Sequence, residues 1–161
     1  MTRQMRKAER EIKDFADKIS VLDRCEVIRV ALHDEPFPYV VPLSYGYETR
    51  GGEVSIYFHC APEGRKVELI EKDPHVCVEC DRSKLFNGED RGISCDFESF
   101  IANGVVTEVH SDEAVKGLQM IMNHCGYGKR TVTEASLARL RVYRIDLEDI
   151  SAKRRAEDGH H

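Results

Sequence analysis

Gly64, Arg65 and Lys66 stand together where a strand-like run gives way to a helical one, in the stretch YFHCAPEGRKVELIEKDPHVCVEC of residues 57–80. Pro62 suits the first turn of a helix, and Val67, Leu69 and Ile70 give the next residues an apolar side before KDP stops them. The first N–H groups of a helix lack partners, and its dipole favours an anion there. Two cations at that end oppose the dipole, a mismatch that a phosphate between them and the helix start would resolve. A solvated basic pair on an exposed turn is the plain alternative, and the local pattern alone does not separate the two.

Other reactive side chains surround this segment. In VSIYFHC, Val54, Ile56, Phe58 and Cys60 alternate with Tyr57 and His59, which places His59 on the wall opposite the core-facing set. An imidazole there can hydrogen-bond, stack or exchange a proton near neutral pH, or simply be satisfied within the structure. Cys77 and Cys80 have the C-x-x-C spacing of zinc and redox motifs, but no second pair completes a metal set, and strand residues three apart face opposite ways. His33, His75, His110 and His124 show no partners in the sequence and read as surface or packing residues. Met120 and Met122 read as helix core. The chain carries no G-x-G-x-x-G, Walker loop or H-E-x-x-H.

The elements that must hold these groups are those of one soluble domain. The 161 residues are 41% hydrophobic and 33% charged, with a formal net charge of -5. That balance argues against a nucleic-acid partner, since phosphate-tracking domains are normally basic. No run approaches the roughly 20 apolar residues that span a bilayer and the N-terminus lacks a compact apolar leader, so a cytoplasmic protein is expected. Six cysteines scattered through a chain of this size read as reduced thiols.

Residues 6–24 carry Ile12, Phe15, Ile19 and Leu22 at helical spacing and predict a helix lying on the domain. EVIRVAL, YVVPLSYGY, VSIYFHC, HVCVECD, SCDFESFIANGVVTEVH and RVYRIDLEDI predict strands. Pro42 demotes the second to an edge or irregular strand with free backbone. TRGGE is a hairpin turn, RSKLFNGEDRG a loop, SDEAVKGLQMIMNHC a helix, and TEASLARL a possible short one. Six strands without regular helix alternation predict a mainly β fold: an antiparallel barrel with peripheral helices.

The succession YVVPLSYGY, VSIYFHCAPEGRKVELIEKDPHVCVEC, SFIANGVVTEV and LRVYRIDLEDISAKR resembles the pyridoxamine 5'-phosphate oxidase-like FMN-binding split barrels, most closely the 5-nitroimidazole resistance (Nim-type) reductase branch. The likeness runs over residues 25–154 and is most specific in YFHCAPEGRKVELIEKDP. It implies a six-stranded antiparallel split β-barrel that forms a homodimer with FMN at the subunit interface. It further implies phosphate contacts from Arg65 and Lys66, and Cys60 at a strand end where related oxidases have a hydroxyl residue. Val41, Pro42, Leu43 and Ser44 would run beside the isoalloxazine, Ser99 would match a polar cofactor-contacting position, and His59 would lie near the flavin as the catalytic candidate.

The resemblance thus implies an FMN-dependent oxidoreductase passing electrons from a donor such as reduced nicotinamide to a small electrophilic acceptor, with a nitroimidazole as one candidate. A non-catalytic flavin- or haem-binding module is the rival from another class, and a pyridoxamine 5'-phosphate oxidase the rival enzyme. No substrate-phosphate residues for the latter are identifiable. The expected organisation is an N-terminal helical segment over 1–24, the split barrel over 25–154, and a tail over 155–161 whose GHH end is in keeping with a purification tag.

Overall fold

The computed structural model describes residues 5–87 and 94–155. Residues 1–4 of the N-terminal segment, 88–93 of the expected loop and 156–161 of the expected tail lie outside the described residues. The strands are β1 (Ile28–Leu32), β2 (Tyr39–Leu43), β3 (Gly46–Arg50), β4 (Glu53–Cys60), β5 (His75–Asn87), β6 (Ser94–Val109) and β7 (Arg141–Arg155). The helices are α1 (Phe15–Arg24), α2 (Arg65–Lys72) and α3 (Ser111–His124). All described strand pairs are antiparallel, and the sheet runs β2-β1-β5-β6-β7-β4-β3.

That order forces the sheet to curl. The seven strands put β2 and β3 at opposite edges, about 29 Å apart if the sheet were flat. Only Ser44 and Tyr45 join Leu43 to Gly46, a link reaching at most about 11 Å. The sheet therefore closes on itself at that corner. Among the described residues β2 pairs only with β1 and β3 only with β4, so the seam between them is open and the barrel is split.

Seven strands stand where six were expected because YVVPLSYGY is two strands. The alternation of Val41, Leu43, Tyr45 and Tyr47 runs straight across a corner, and Tyr45 is what makes the corner. Its buried hydroxyl donates to Leu22 O and lies 2.8 Å from Cys25 O, fixing the turn to the end of α1. The helix over residues 6–24 is also shorter than its spacing predicts. Asp14 caps α1 by accepting from Asp17 N at 3.0 Å, while Ile12 N donates to Ala152 O at 2.9 Å and ties the preceding segment to β7. The expected loop after Asp81 continues as β5 to Asn87.

The barrel interior is filled by Ile28, Val30, Leu32, Val54, Ile56, Phe58, Val78, Cys80, Phe100 and Ile145, all at most 2% exposed. A second cluster of Tyr57, Val109, Ala114, Leu118, Ile121 and Val142 lies beneath α3. Strand β4 is thus buried on both faces, which explains why its polar residues crowd toward its ends. Cys80 is in the core while Cys77 belongs to the opposite face of β5. Among the described residues no helix is long and apolar enough to cross a membrane.

Candidate functional site

The chain leaves β4 at Cys60, turns through Ala61–Gly64 and enters α2, which packs Leu69 and Ile70 into the barrel cluster. Gly64 has φ 136°, in the region that disfavours L side chains, so a glycine suits the position although a Cβ would meet open space. As the cap of α2 it offers no side-chain acceptor, and Glu68 N bonding Gly64 O is the first intrahelical bond. The N–H groups of that first turn are left for an outside partner.

Arg65 reaches from α2 across to the start of β2. Its guanidinium lies over the Tyr39 ring at 4.5 Å, and its Nε and Nη2 donate to Asp34 Oδ2 at 2.9 and 2.6 Å. Lys66 points toward β4, with Nζ 6.0 Å from the Phe58 ring centroid. Phe58 stacks in turn on Tyr143, 5.2 Å between centroids. The two cations therefore lie between the start of β2 and the end of β4, which runs past β3 beyond Tyr57. The cradle is open, with the Arg65 side chain 57% exposed. A hollow of 440 Å³ adjoins the turn that carries Asp34 and Tyr39, lined by His33, Pro38, His75 and Asn103, and one of 550 Å³ lies against Glu48, Lys116 and Arg144.

His59 pairs in register with Val142 and so continues the face of Tyr57. Its Nδ1 is buried and has no hydrogen-bond partner among the described residues. Burial first, and the Lys66 charge second, push its protonation below the ordinary histidine range, so the ring is neutral at physiological pH. Cys60 is half-buried and its thiol is pushed up by burial, with Lys66 and Arg141 opposing. It is not a preformed thiolate.

Val41 and Leu43 pack their side chains against the barrel cluster, whereas Val40 and Pro42 face outward. Because β2 is an edge strand, alternate backbone groups along it lack a strand partner, and Pro42 carries no N–H. Ser44 follows at the corner. Ser99 is not brought to this group. It sits in mid β6, opposite Asp81 of β5 and Lys153 of β7, three strands away from β2.

Sequence reasoning did not find Asp34 and Tyr39 as neighbours of the basic pair. Asp34 and Tyr39 flank a proline-rich turn that carries no motif, and only the passage of α2 over β1 and β2 reveals them. The expectation that the other histidines lack partners needs correction. His33 and His75 both bond Asp73 through Nδ1, at 3.1 and 2.7 Å, and His124 Nε2 lies 2.8 Å from Cys25 O with its ring against Tyr45.

The donors at the seam are of two kinds. Arg65, Lys66 and the first turn of α2 suit a phosphate, and the free backbone edge of β2 suits a heteroaromatic with polar edges, while His59 lies on the face of β4 opposite Phe58, within electrostatic reach of Lys66. This set fits a flavin phosphate. In fold, the chain is similar to a protein from Bacteroides thetaiotaomicron provisionally described as a 5-nitroimidazole antibiotic resistance protein, with TM-score 0.79 and 24% identity over 89% of this chain and 85% of that one. It is also similar to a flavocytochrome from Azotobacter vinelandii, with TM-score 0.75 and 18% identity over 96% of this chain and 73% of that one. An FAD-binding protein from Mesorhizobium loti superposes with TM-score 0.63 and 23% identity over 91% of this chain and 98% of that one. No curated protein sequence matches the chain. The family model described as pyridoxamine 5'-phosphate oxidase matches residues 16–154, a span that takes in both sides of the seam and the helix bridging it, and the chain therefore belongs to the pyridoxamine 5'-phosphate oxidase family.

Proposed function

We propose that the chain is an FMN-binding flavoprotein of the split-barrel class, working as an oxidoreductase on a small electrophilic acceptor, with a nitroimidazole as one candidate. The observation that carries the reading is the convergence of Arg65 and Lys66, at an uncapped helix start, on the space between the end of β4 and the free edge of β2. In this reading Arg65, Lys66 and the first N–H groups of α2 hold the phosphate. Val41, Pro42, Leu43 and Ser44 present backbone groups to the ring system, and Cys60 offers only a thiol where a hydroxyl would bond more strongly. His59, kept neutral by burial, holds or accepts a proton at Nδ1 beside the cofactor. When bound, the flavin supplies the redox chemistry that connects a reduced nicotinamide donor with the acceptor.

The same reading requires a second subunit. The seam is open and Ser99 lies on another part of the sheet, so Ser99 enters the site only from a partner copy. The outward face near β2 and β6 exposes Val40 at 53% and Ile101 at 44%, apolar surface that a homodimer would cover.

The test is titration of the apoprotein by flavin-fluorescence quenching, with FMN and with riboflavin. Arg65→Ala and Lys66→Ala should stay folded and each bind FMN about ten- to a hundredfold more weakly, the worth of one charge-assisted contact. Riboflavin should hardly respond. Equal FMN affinity in wild type and both variants returns the pair to the solvated surface.

A further inference from the structure

Asp34 occupies one of the two paired donor edges of Arg65. Nε and Nη2 of the guanidinium, one of its paired donor edges, both point to Asp34 Oδ2, at 2.9 and 2.6 Å. The carboxylate is itself held in place: Glu35 N donates to its other oxygen at 2.8 Å, and the side chain is only 19% exposed. Tyr39 underlies the guanidinium plane and, with Asp34, holds the exposed Arg65 side chain toward the start of β2. Arg65 also holds the Asp34 carboxyl below the usual carboxylate range, ahead of the Glu35 N–H, so Asp34 is an anion at neutral pH. The site therefore contains its own anion on one of the two cations assigned to the phosphate.

We infer that Asp34 is an internal competitor for Arg65, a latch that the flavin phosphate must displace, and so a residue that sets how strongly the site rewards a phosphate-bearing flavin. The inference rests on the phosphate reading of Arg65 and Lys66. A phosphate dianion and the Asp34 carboxylate cannot both sit against the same guanidinium edge without repulsion. With the phosphate bound, Arg65 swings off Asp34, which keeps its bond from Glu35 N and turns toward solvent. Among the described residues Lys66 has no such competitor; its neighbours there are the Phe58 ring, His59 and Cys60. The two basic residues are therefore unequal: Lys66 is available at once, and Arg65 is released by exchange.

The experiment is a double-mutant cycle on the full chain, using wild type, Asp34→Asn, Arg65→Ala and the double variant. Each is titrated with FMN and with riboflavin by fluorescence quenching, and its fold is checked by thermal melting. Asp34→Asn keeps an acceptor for Glu35 N but removes the charge. It should bind FMN about tenfold more tightly than wild type, with riboflavin unchanged. In the Arg65→Ala background the gain should shrink to less than about twofold, because the contact being released is gone. If Arg65→Ala weakens FMN while Asp34→Asn leaves it unchanged or weakens it too, Asp34 aims Arg65 instead of competing for it, and the latch is wrong while the phosphate reading stands. If Arg65→Ala and Lys66→Ala both leave FMN affinity unaltered, the phosphate reading fails and takes the latch with it.

Discussion

Replacement of Gly46 by alanine should damage the fold more than its chemistry suggests. Gly46 opens β3, directly after the Ser44–Tyr45 corner, and α3 crosses over it. A Cβ there would lie 2.3 Å from Met120 C and 2.5 Å from both Ile121 N and Met120 O, where ordinary contact begins near 3.4 Å. Every one of those atoms is backbone, so no rotamer change relieves the clash and α3 itself must retreat by roughly 1 Å. Overpacking costs about 1–3 kcal/mol, and a clash with backbone belongs at the top of that range. For a chain of this size, about 3 kcal/mol lowers the melting temperature by roughly 6–12 °C. Gly117 on α3 is the internal comparison. Its added Cβ would meet Tyr57 Cδ1 at 2.5 Å, a side-chain contact instead of a backbone one, and an alanine in a helix gains about 0.8–1 kcal/mol over glycine. Gly117→Ala should therefore cost no more than about 2 kcal/mol. Thermal and urea melts followed by circular dichroism decide the order. A Gly46→Ala variant melting within about 2 °C of wild type, or one more stable than Gly117→Ala, would refute the reasoning.

His59 should titrate below the ordinary histidine value of 6.5 in an NMR pH series, and Lys66→Met should move it upward by removing the second cause of the shift. Because its folded value is depressed, the unfolded chain binds more protons on acidification; the contribution to stability is full above pH 6.5 and is lost as pH falls through the folded value. Glu98 bonds Arg24 through Nε and Nη2, at 2.7 Å each, and Arg154 at 3.1 Å, so these arginines, Arg24 first, hold its carboxyl below its ordinary 4.5. Glu98→Gln should cost about 1 kcal/mol in a urea melt at pH 7, discounted for the partly exposed arginines, and the difference should vanish as pH falls through the folded Glu98 value. Light scattering of the flavin-loaded protein should give twice the chain mass, and a stable monomer that binds flavin tightly would contradict the shared site.

Much of the sheet was legible because strand alternation reports burial directly. Val54, Ile56 and Phe58 are core, Tyr57 faces α3, and Val67, Leu69 and Ile70 form the buried side of α2. The corner at Tyr45 was not legible, since period-two alternation continues through a sharp turn when the turn residue is also buried. Its signal is tertiary: a tyrosine hydroxyl bonding carbonyls 20 and 23 residues away. The helix before Phe15 failed for a related reason. Ile12 is buried, as its spacing suggests, but by strand-like attachment to β7 instead of helical packing. At the site, Gly64, Arg65 and Lys66 could be read locally because a helix start is a local structure. Asp34 could not, because its approach to Arg65 depends on how α2 crosses the sheet.

The central claim is that the seam takes a flavin by its phosphate. Equilibrium titration of the wild-type apoprotein with FMN and riboflavin, at one fixed salt concentration, tests it most directly. The account predicts saturable one-to-one quenching with FMN bound at least about tenfold more tightly than riboflavin, the worth of one net charge-assisted contact. Equal affinity for the two flavins, or saturable binding of neither, would contradict it.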